Sequence, residues 1–381
     1  MTQPLKARLP ASVTPGRVLD NQVDWNKVEA DLQAVGVPLP LYHRWAWAQR
    51  GGARKYRLVT IDDARGLPLG AFALQIDRSR TLPGHVFWQV QRFGEGLPET
   101  SWAGLAARLR DLAASDSRVL KVSVRLFARH RRDEIAAAFE QLGFSRLEHP
   151  HSYRYTLTLD LSPTEDELLA GLHKTARKNL RETEKAGVSV QALTDEKYAA
   201  RIQTLQAEAL RRTGGNSELL DGRVILRLSR EHPELSRIIG LFASPDDTSP
   251  ESLVGFAWGC MHGSHGEYRA AGTSRIPGRN LAISYPLLWD LIQWSRRQGA
   301  TWFDFGGVTI ETGELQGISD FKRYFSRNVE EVGEEWTLVP NPRRLQLATL
   351  AGEGARVVAS LIKRARAFGS AKSSQEGAHE Q

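Results

Sequence analysis

The sequence predicts an α+β protein of two tandem units, each a mixed, mostly antiparallel sheet flanked by helices. The order of elements is the first reason. Strand-like runs at 56–61, 69–76 and 86–91 precede a helical stretch at about 102–114 and a strand at 120–126. The same order returns as runs at 237–242, 254–258 and 267–272, a helix at about 281–298 and a strand at 301–305. Repetition of order marks a duplicated architecture even where residues differ. Size is the second reason: 381 residues at 41% hydrophobic content supply two cores.

Each element has a local cause. The helix near 281 carries Leu281, Tyr285, Leu288, Trp289, Ile292 and Trp294 at helical spacing, places Arg296 and Arg297 in its last turn and meets Gly299 as a stop. Between the units, 155–161 alternates apolar and polar residues as a half-buried strand does. A helix is expected next, with Ser162 as cap, Pro163 at the first helical position and Glu165 closing a capping box, running toward Ala186. On it Lys174, Arg177, Lys178 and Arg181 share a face beside Leu168, Leu169, Leu172 and Leu180. Residues 343–368 interleave arginines and lysines with leucine, valine and isoleucine, a basic amphipathic helix that either lies on an anionic membrane or packs on the domain. A polar tail after Gly369 reads as disordered. The chain therefore divides as 1–150, 151–342 and 343–381.

Net charge of +7 and a pI near 9.6 favour anionic partners, unless arginine is simply this chain's habitual surface residue. Cys260 is the single cysteine, so no intramolecular disulfide forms; its apolar run at 253–261 reads as packing and not as a nucleophile's setting. There is no apolar run of bilayer length and no signal-peptide core, so a cytoplasmic workplace is expected. Gly-x-Ser-x-Gly, His-Glu-x-x-His and Walker patterns are missing, which argues against covalent-serine, zinc and nucleotide-hydrolysis chemistry.

One stretch carries more. An apolar strand ends on Asp304, Phe305, Gly306 and Gly307, and a Phe321-Lys322 step follows. With the basic run at 173–181, the strand-like 268–274, the helix at 287–292 and the closing strand at 329–342, it resembles the FemABX family of peptidoglycan-bridge aminoacyltransferases. The match covers about 150–342 and is looser before that. Three antiparallel strands, a helix and a further strand are the core order of the GNAT-type acyltransferase fold, and two such units are what the resemblance implies. It also implies direct transfer of an amino acid from aminoacyl-tRNA to a side-chain amine of a UDP-linked or lipid-linked muropeptide precursor, with no cofactor.

Carried over by motif, Lys322 is the expected stabiliser of developing negative charge and Phe321 shapes the same wall. Asp304 either holds the acceptor amine or takes its proton, or else it bonds the backbone where its strand ends. Tyr268 matches a position lining the acceptor site. Arg212, or its neighbour Arg211, matches an arginine that binds acceptor phosphates, a task suited to a bidentate guanidinium. Lys174, Arg177, Lys178 and Arg181 would meet tRNA phosphates, or form a merely solvated face.

The chain also departs from the family. Gly214, Gly215, Asn216 and Ser217 replace aromatic residues, and Gln91-Arg92-Phe93-Gly94 stands where Pro-Arg-Gly-Pro is common. No heptad-bearing coiled-coil arm is present. The run from Arg275 to Asn280 resembles the loop by which ordinary GNAT enzymes cradle coenzyme A, except that Asn280 replaces its last glycine. An acyl-coenzyme A N-acyltransferase acting on another envelope amine is therefore the second reading, and a catalytically idle RNA- or membrane-binding module the third.

Overall fold

The computed structural model describes residues 13–50, 54–213, 219–244, 246–275, 281–308 and 316–352. The first unit comprises β1 (Val13–Thr14), β2 (Val18–Leu19), α1 (Gln22–Ala34), α2 (Trp45–Ala48), β3 (Lys55–Asp63), β4 (Pro68–Arg78), β5 (Val86–Phe93), α3 (Glu99–Ser115), β6 (Val119–Phe127), α4 (Arg132–Gln141) and β7 (Ser145–Arg146). The second opens with β8 (Tyr155–Asp160), α5 (Glu165–Gly171), α6 (Lys174–Lys185), β9 (Ser189–Ala192), α7 (Ala199–Thr213) and α8 (Gly222–Glu231). It continues through β10 (Ser236–Phe242), β11 (Leu253–His262), β12 (His265–Thr273), α9 (Ser284–Arg297), β13 (Trp302–Gly307), α10 (Gln316–Arg323), β14 (Asn328–Glu331) and β15 (Gly333–Leu338).

Both units have the expected order, three antiparallel strands, a helix and a parallel fourth strand: β3-β4-β5-α3-β6 and β10-β11-β12-α9-β13. Among the described residues one sheet runs β1-β3-β4-β5-β6-β15-β7 with β2 on β3, and the other runs β14-β8-β13-β12-β11-β10-β9. Each crossover helix buries its apolar stripe. Leu105 and Leu109 of α3 enter the core with Val59, Phe72 and Val122, and Leu287, Leu288, Leu291 and Ile292 of α9 enter the other with Ile239, Ala257 and Phe303. A fully buried leucine contributes roughly 1.5–3 kcal/mol. Gly259 lets α9 approach, since a Cβ there would lie 3.0 Å from Leu291 Cδ2. Cys260 is buried beneath, its thiol pushed well up by burial, as a packing residue.

Two expectations are corrected. The helix foreseen from Ser162 to Ala186 is two helices. Asp160 accepts from Ser162 N at 3.0 Å and Ser162 Oγ at 2.8 Å, holding Ser162 in the turn, so Thr164 becomes the cap and pairs reciprocally with Glu167. Leu172 and His173 are both extended, His173 Nδ1 accepts from Thr175 N at 3.2 Å to start α6, and Arg177 donates to the carbonyls of Leu172 and Ala170 to close α5. The closing strand foreseen at 329–342 is also two. β14 pairs with β8 in the second sheet, whereas β15 pairs with β6 and β7 and completes the first.

That exchange ties the units together. Arg129 grips Glu330 through two bonds of 2.6 and 2.7 Å, and Arg132 bridges Glu331 at 2.6 Å and Glu334 at 2.9 Å. Residues 342–352 are helical; the rest of the foreseen basic helix, and the tail, lie outside the described residues. No helix among the described residues is long and apolar enough to cross a membrane.

Candidate active site

The parallel pair in the second unit comes apart. β12 and β13 are paired at His265↔Trp302, Gly266↔Phe303 and Glu267↔Asp304 and no further, though β12 continues to Thr273 and β13 to Gly307. In the first unit the equivalent pair, β5 and β6, stays joined from Val86↔Val119 to Phe93↔Leu126. A wedge therefore opens in the second sheet where the first is closed.

Lys322 fills this wedge from α10. It is 6% exposed, and its Nζ donates to Gly307 O at 2.7 Å and lies 6.0 Å from the Tyr268 ring. Burial lowers its pKa from 10.5 to about 8, with Asp304 and Glu267 pulling the other way. Tyr268, the first residue of β12 beyond the parting, is half-buried, and burial raises its phenol. Phe321 packs edge-on against Tyr285 at 5.0 Å and Phe325 at 5.6 Å, aiming α10 so that the next residue enters the wedge. Gly306 makes the bend in β13 at φ +72°, where a Cβ would meet Tyr268 O at 3.0 Å.

Asp304 forms the base of the wedge and is fully buried. Its carboxylate takes Gly306 N at 2.7 Å, Thr156 Oγ1 at 2.5 Å, Tyr153 OH at 2.8 Å and Arg92 Nη2 at 3.0 Å. Both oxygens are engaged, one of them by the backbone N–H of Gly306 where the strand bends. As a proton acceptor it would first have to release these partners.

Around Asp304 is a buried network that the sequence did not disclose. Arg92 comes from the first unit at φ +43°, on the irregularity of β5 between Val90 and Phe93. It lies over Phe127 at 3.8 Å, pairs with Glu267 at 3.0 Å and donates to Tyr153 OH at 3.1 Å and His265 Nε2 at 3.0 Å. Burial opposes ionisation of Glu267, but Arg92 and the 2.8 Å bond from His262 Nε2 hold its carboxyl well below the usual range. Burial also keeps His262 neutral, lowered to about 4, and lowers His265 further. Since Arg92 donates to His265 Nε2, the neutral ring carries its proton on Nδ1, 3.5 Å from Glu95, whose carboxyl burial raises to about 7. The available signal was Gln91-Arg92-Phe93-Gly94, an arginine inside an apolar strand.

Arg92 and Glu267 also floor a cleft of about 1270 Å³ between the units. Arg212 is exposed and donates to Thr273 O at 3.1 Å, the outer end of β12, whereas Arg211 bonds its own helix at Ala207 O. Arg275 is exposed two residues past β12, while Asn280 and Gly214 to Ser217 lie outside the described residues. Of the basic face of α6, Lys174 and Arg181 are exposed, Lys178 pairs with Glu182 at 3.6 Å, and Arg177 is committed to α5. The structure thus gathers Lys322, Phe321, Asp304 and Tyr268 and leaves the α6 cations on a separate helix.

No family model matches the chain, and no curated protein matches its sequence. Solved structures do. The crystal structure of FemX is 14% identical, with a TM-score of 0.67 over 86% of this chain and 98% of its own. L-PGS from Bacillus licheniformis is 13% identical with a TM-score of 0.48 over 88% and 98%, and a tandem GNAT protein of the clavulanic acid biosynthesis pathway is 15% identical with a TM-score of 0.48 over 86% and 99%. The FemX likeness bears out the fold expected from the sequence, a duplicated GNAT-like α+β architecture.

Proposed function

We propose, on the premise of a FemX-like fold whose wedge opens in the second unit, that this chain is an aminoacyltransferase of the cell envelope. It moves an amino acid from aminoacyl-tRNA to the side-chain amine of a muropeptide precursor, UDP-linked or lipid-linked, within one ternary complex. The observation that carries this reading is the buried Lys322 ammonium held against Gly307 O in the open wedge.

In the reaction the neutral amine attacks the ester carbonyl, the C–N bond forms, the ester C–O bond breaks, and one amine proton ends on the released ribose hydroxyl. Negative charge collects on the carbonyl oxygen in between. A preorganised ammonium in a desolvated wedge stabilises that charge far better than water does. Phe321 supports the lysine, Tyr268 lines the opposite strand, and Asp304 holds the shape of the β13 bend. Arg212 at the end of β12 and Lys174, Lys178 and Arg181 on α6 are the proposed phosphate contacts, the latter for tRNA. The workplace proposed is the cytoplasm, with peripheral contact at the inner face of the membrane through the helix at 342–352, where Leu347 and Leu350 are 60% and 57% exposed.

The donor is tested by incubating the protein with labelled aminoacyl-tRNA pools and, separately, labelled acetyl-coenzyme A, each with UDP-linked and lipid-linked muropeptides. Label moving from tRNA supports the reading. Label moving from the coenzyme alone replaces it with an acyl-coenzyme A N-acyltransferase using the Arg275 loop, and no label from either leaves the non-catalytic module.

A further inference from the structure

Two buried cations and two buried carboxylates meet where β12 and β13 part. Arg92 and Lys322 are each 6% exposed, Glu267 is 3% and Asp304 0%. Opposite charges buried near one another attract strongly and pair unless their partners are already chosen. Among the described residues Lys322 nevertheless has no ion pair. Its Nζ donates to Gly307 O at 2.7 Å, and a Cβ placed on Gly306 would lie 3.9 Å from it. An ammonium has three N–H donors, so this arrangement leaves donors for a further acceptor.

The reason lies in how the carboxylates are occupied. Asp304 Oδ1 takes Gly306 N and Thr156 Oγ1, while Oδ2 takes Tyr153 OH and Arg92 Nη2. A carboxylate has about four lone-pair sites, so each of those on Asp304 is in use. Glu267 Oε2 takes His262 Nε2 at 2.8 Å, and Oε1 takes Arg92 Nη2 at 3.0 Å with Tyr153 OH at 3.3 Å. The Tyr153 hydroxyl has a single proton and lies closer to Asp304, at 2.8 Å, so Arg92 is the close donor on that side of Glu267. Arg92 Nη2 thus serves both carboxylates and brings the positive charge they need. It enters from β5 of the first unit, braced by His265 Nε2 at 3.0 Å and by the Phe127 ring at 3.8 Å.

We propose that Arg92 is a positioning residue that keeps the Lys322 ammonium available to substrate: by serving Asp304 and Glu267 together, it leaves neither with an open lone pair that would draw Lys322 off Gly307 O into an ion pair. The inference rests on the transferase reading for what the ammonium then does. Asp304 of β13 and Glu267 of β12 are the charged groups that act on Lys322, and the phenols of Tyr268 and Tyr153, both raised by burial, stay neutral around it. With Arg92 in place the two carboxylates do not offset burial, and Lys322 titrates at about 8. Without Arg92 they lose their shared counter-charge and hold the Lys322 proton more tightly.

The test reads the ammonium itself and needs no turnover. The full chain labelled with 13Cε-lysine is titrated by NMR, the Lys322 signal being assigned by its loss in Lys322→Met. Wild type and Arg92→Lys, which keeps the charge, should share a midpoint of about 8. In Arg92→Met the midpoint should rise to about 9 or above, and adding Asp304→Asn should reverse most of the rise. If Arg92→Met does not fold, the same substitution is made in the Asp304→Asn background, where Glu267 alone should still raise the midpoint when Arg92 is removed. A midpoint left at its parent's value by Arg92→Met overturns the proposal.

Single-turnover transfer gives the second readout. Arg92→Met should be slower at pH 7 by roughly tenfold or more, with its alkaline decline moved upward, and Arg92→Lys should recover most of the rate. An arginine that only held the fold together would lower the rate without moving the decline. A raised midpoint with unchanged transfer overturns the positioning role. A raised midpoint with no transfer by the wild type removes the transferase reading and leaves the assignment of charges standing.

Discussion

Arg92 Nη2 lies 3.0 Å from Asp304 Oδ2, joining a bulge of the first sheet to the base of the wedge in the second, with the two side chains 6% and 0% exposed. The wedge is thus shaped by both units. Asp304 fixes the β13 bend through Gly306 N, and Arg92 fixes Asp304.

Removing the guanidinium leaves Asp304 and Glu267 buried without their cation. Arg92→Ala should destabilise the protein by roughly 3–5 kcal/mol, the cost of breaking a buried pair from one side. Chemical denaturation checks this, and a loss below about 1 kcal/mol would show the network to be dispensable.

Lys322 gives a signed pH dependence. Its folded value near 8 lies below its ordinary 10.5, so the unfolded chain holds the extra proton between those values and stability rises with pH across that window. Below about 8 the cost of burying the ammonium is fully present. Lys322→Met should abolish this slope and stabilise the protein near neutral pH by about 3 kcal/mol. The role proposed for Lys322 needs its charged form, so transfer by the wild type should decline as pH rises through about 8.

Glu95 acts with the opposite sign. Burial raises it from 4.5 to about 7, so its contribution to stability is complete below 4.5 and lost as pH rises through 7. Glu95→Gln should therefore match the wild type in acid and exceed its melting temperature above pH 7. Parallel melting curves across this range would contradict that.

Gly306 takes a side chain only with strain, being left-handed and close to the next strand. Gly306→Ala puts a Cβ at φ +72° and 3.0 Å from Tyr268 O, costing about 1–3 kcal/mol of backbone strain and displacing the strand that faces Lys322. Activity should fall more than stability does, which paired unfolding and transfer assays would measure.

The duplicated order was legible because each strand and crossover helix announces itself through local periodicity, as Leu287, Leu288, Leu291 and Ile292 do on α9. The return of β15 to the first sheet was not, because which strand pairs with Val122 to Phe127 is decided by distant packing and not by the period of 333–338. Ser162 looked like a cap until Asp160 claimed it, a competition between two neighbouring polar side chains that sequence does not rank. Lys322 and Tyr268 came from motif likeness, and the structure does bring them to one wedge. Tyr153, Thr156 and Glu267 went unnoticed, and Arg92 stood out only as a departure from a motif, because each is an ordinary polar residue until positions 61 to 212 apart in the chain fold together.

The role proposed for the Lys322 ammonium is to stabilise the transferring carbonyl. Single-turnover transfer of a labelled amino acid from charged tRNA to a UDP-linked or lipid-linked muropeptide, compared between wild type and Lys322→Ala at pH 7, measures that role. A rate lower by roughly 10²–10³, the usual cost of deleting one stabilising donor, with the unfolding transition still cooperative, is the predicted result. Transfer by Lys322→Ala at the wild-type rate would contradict the account.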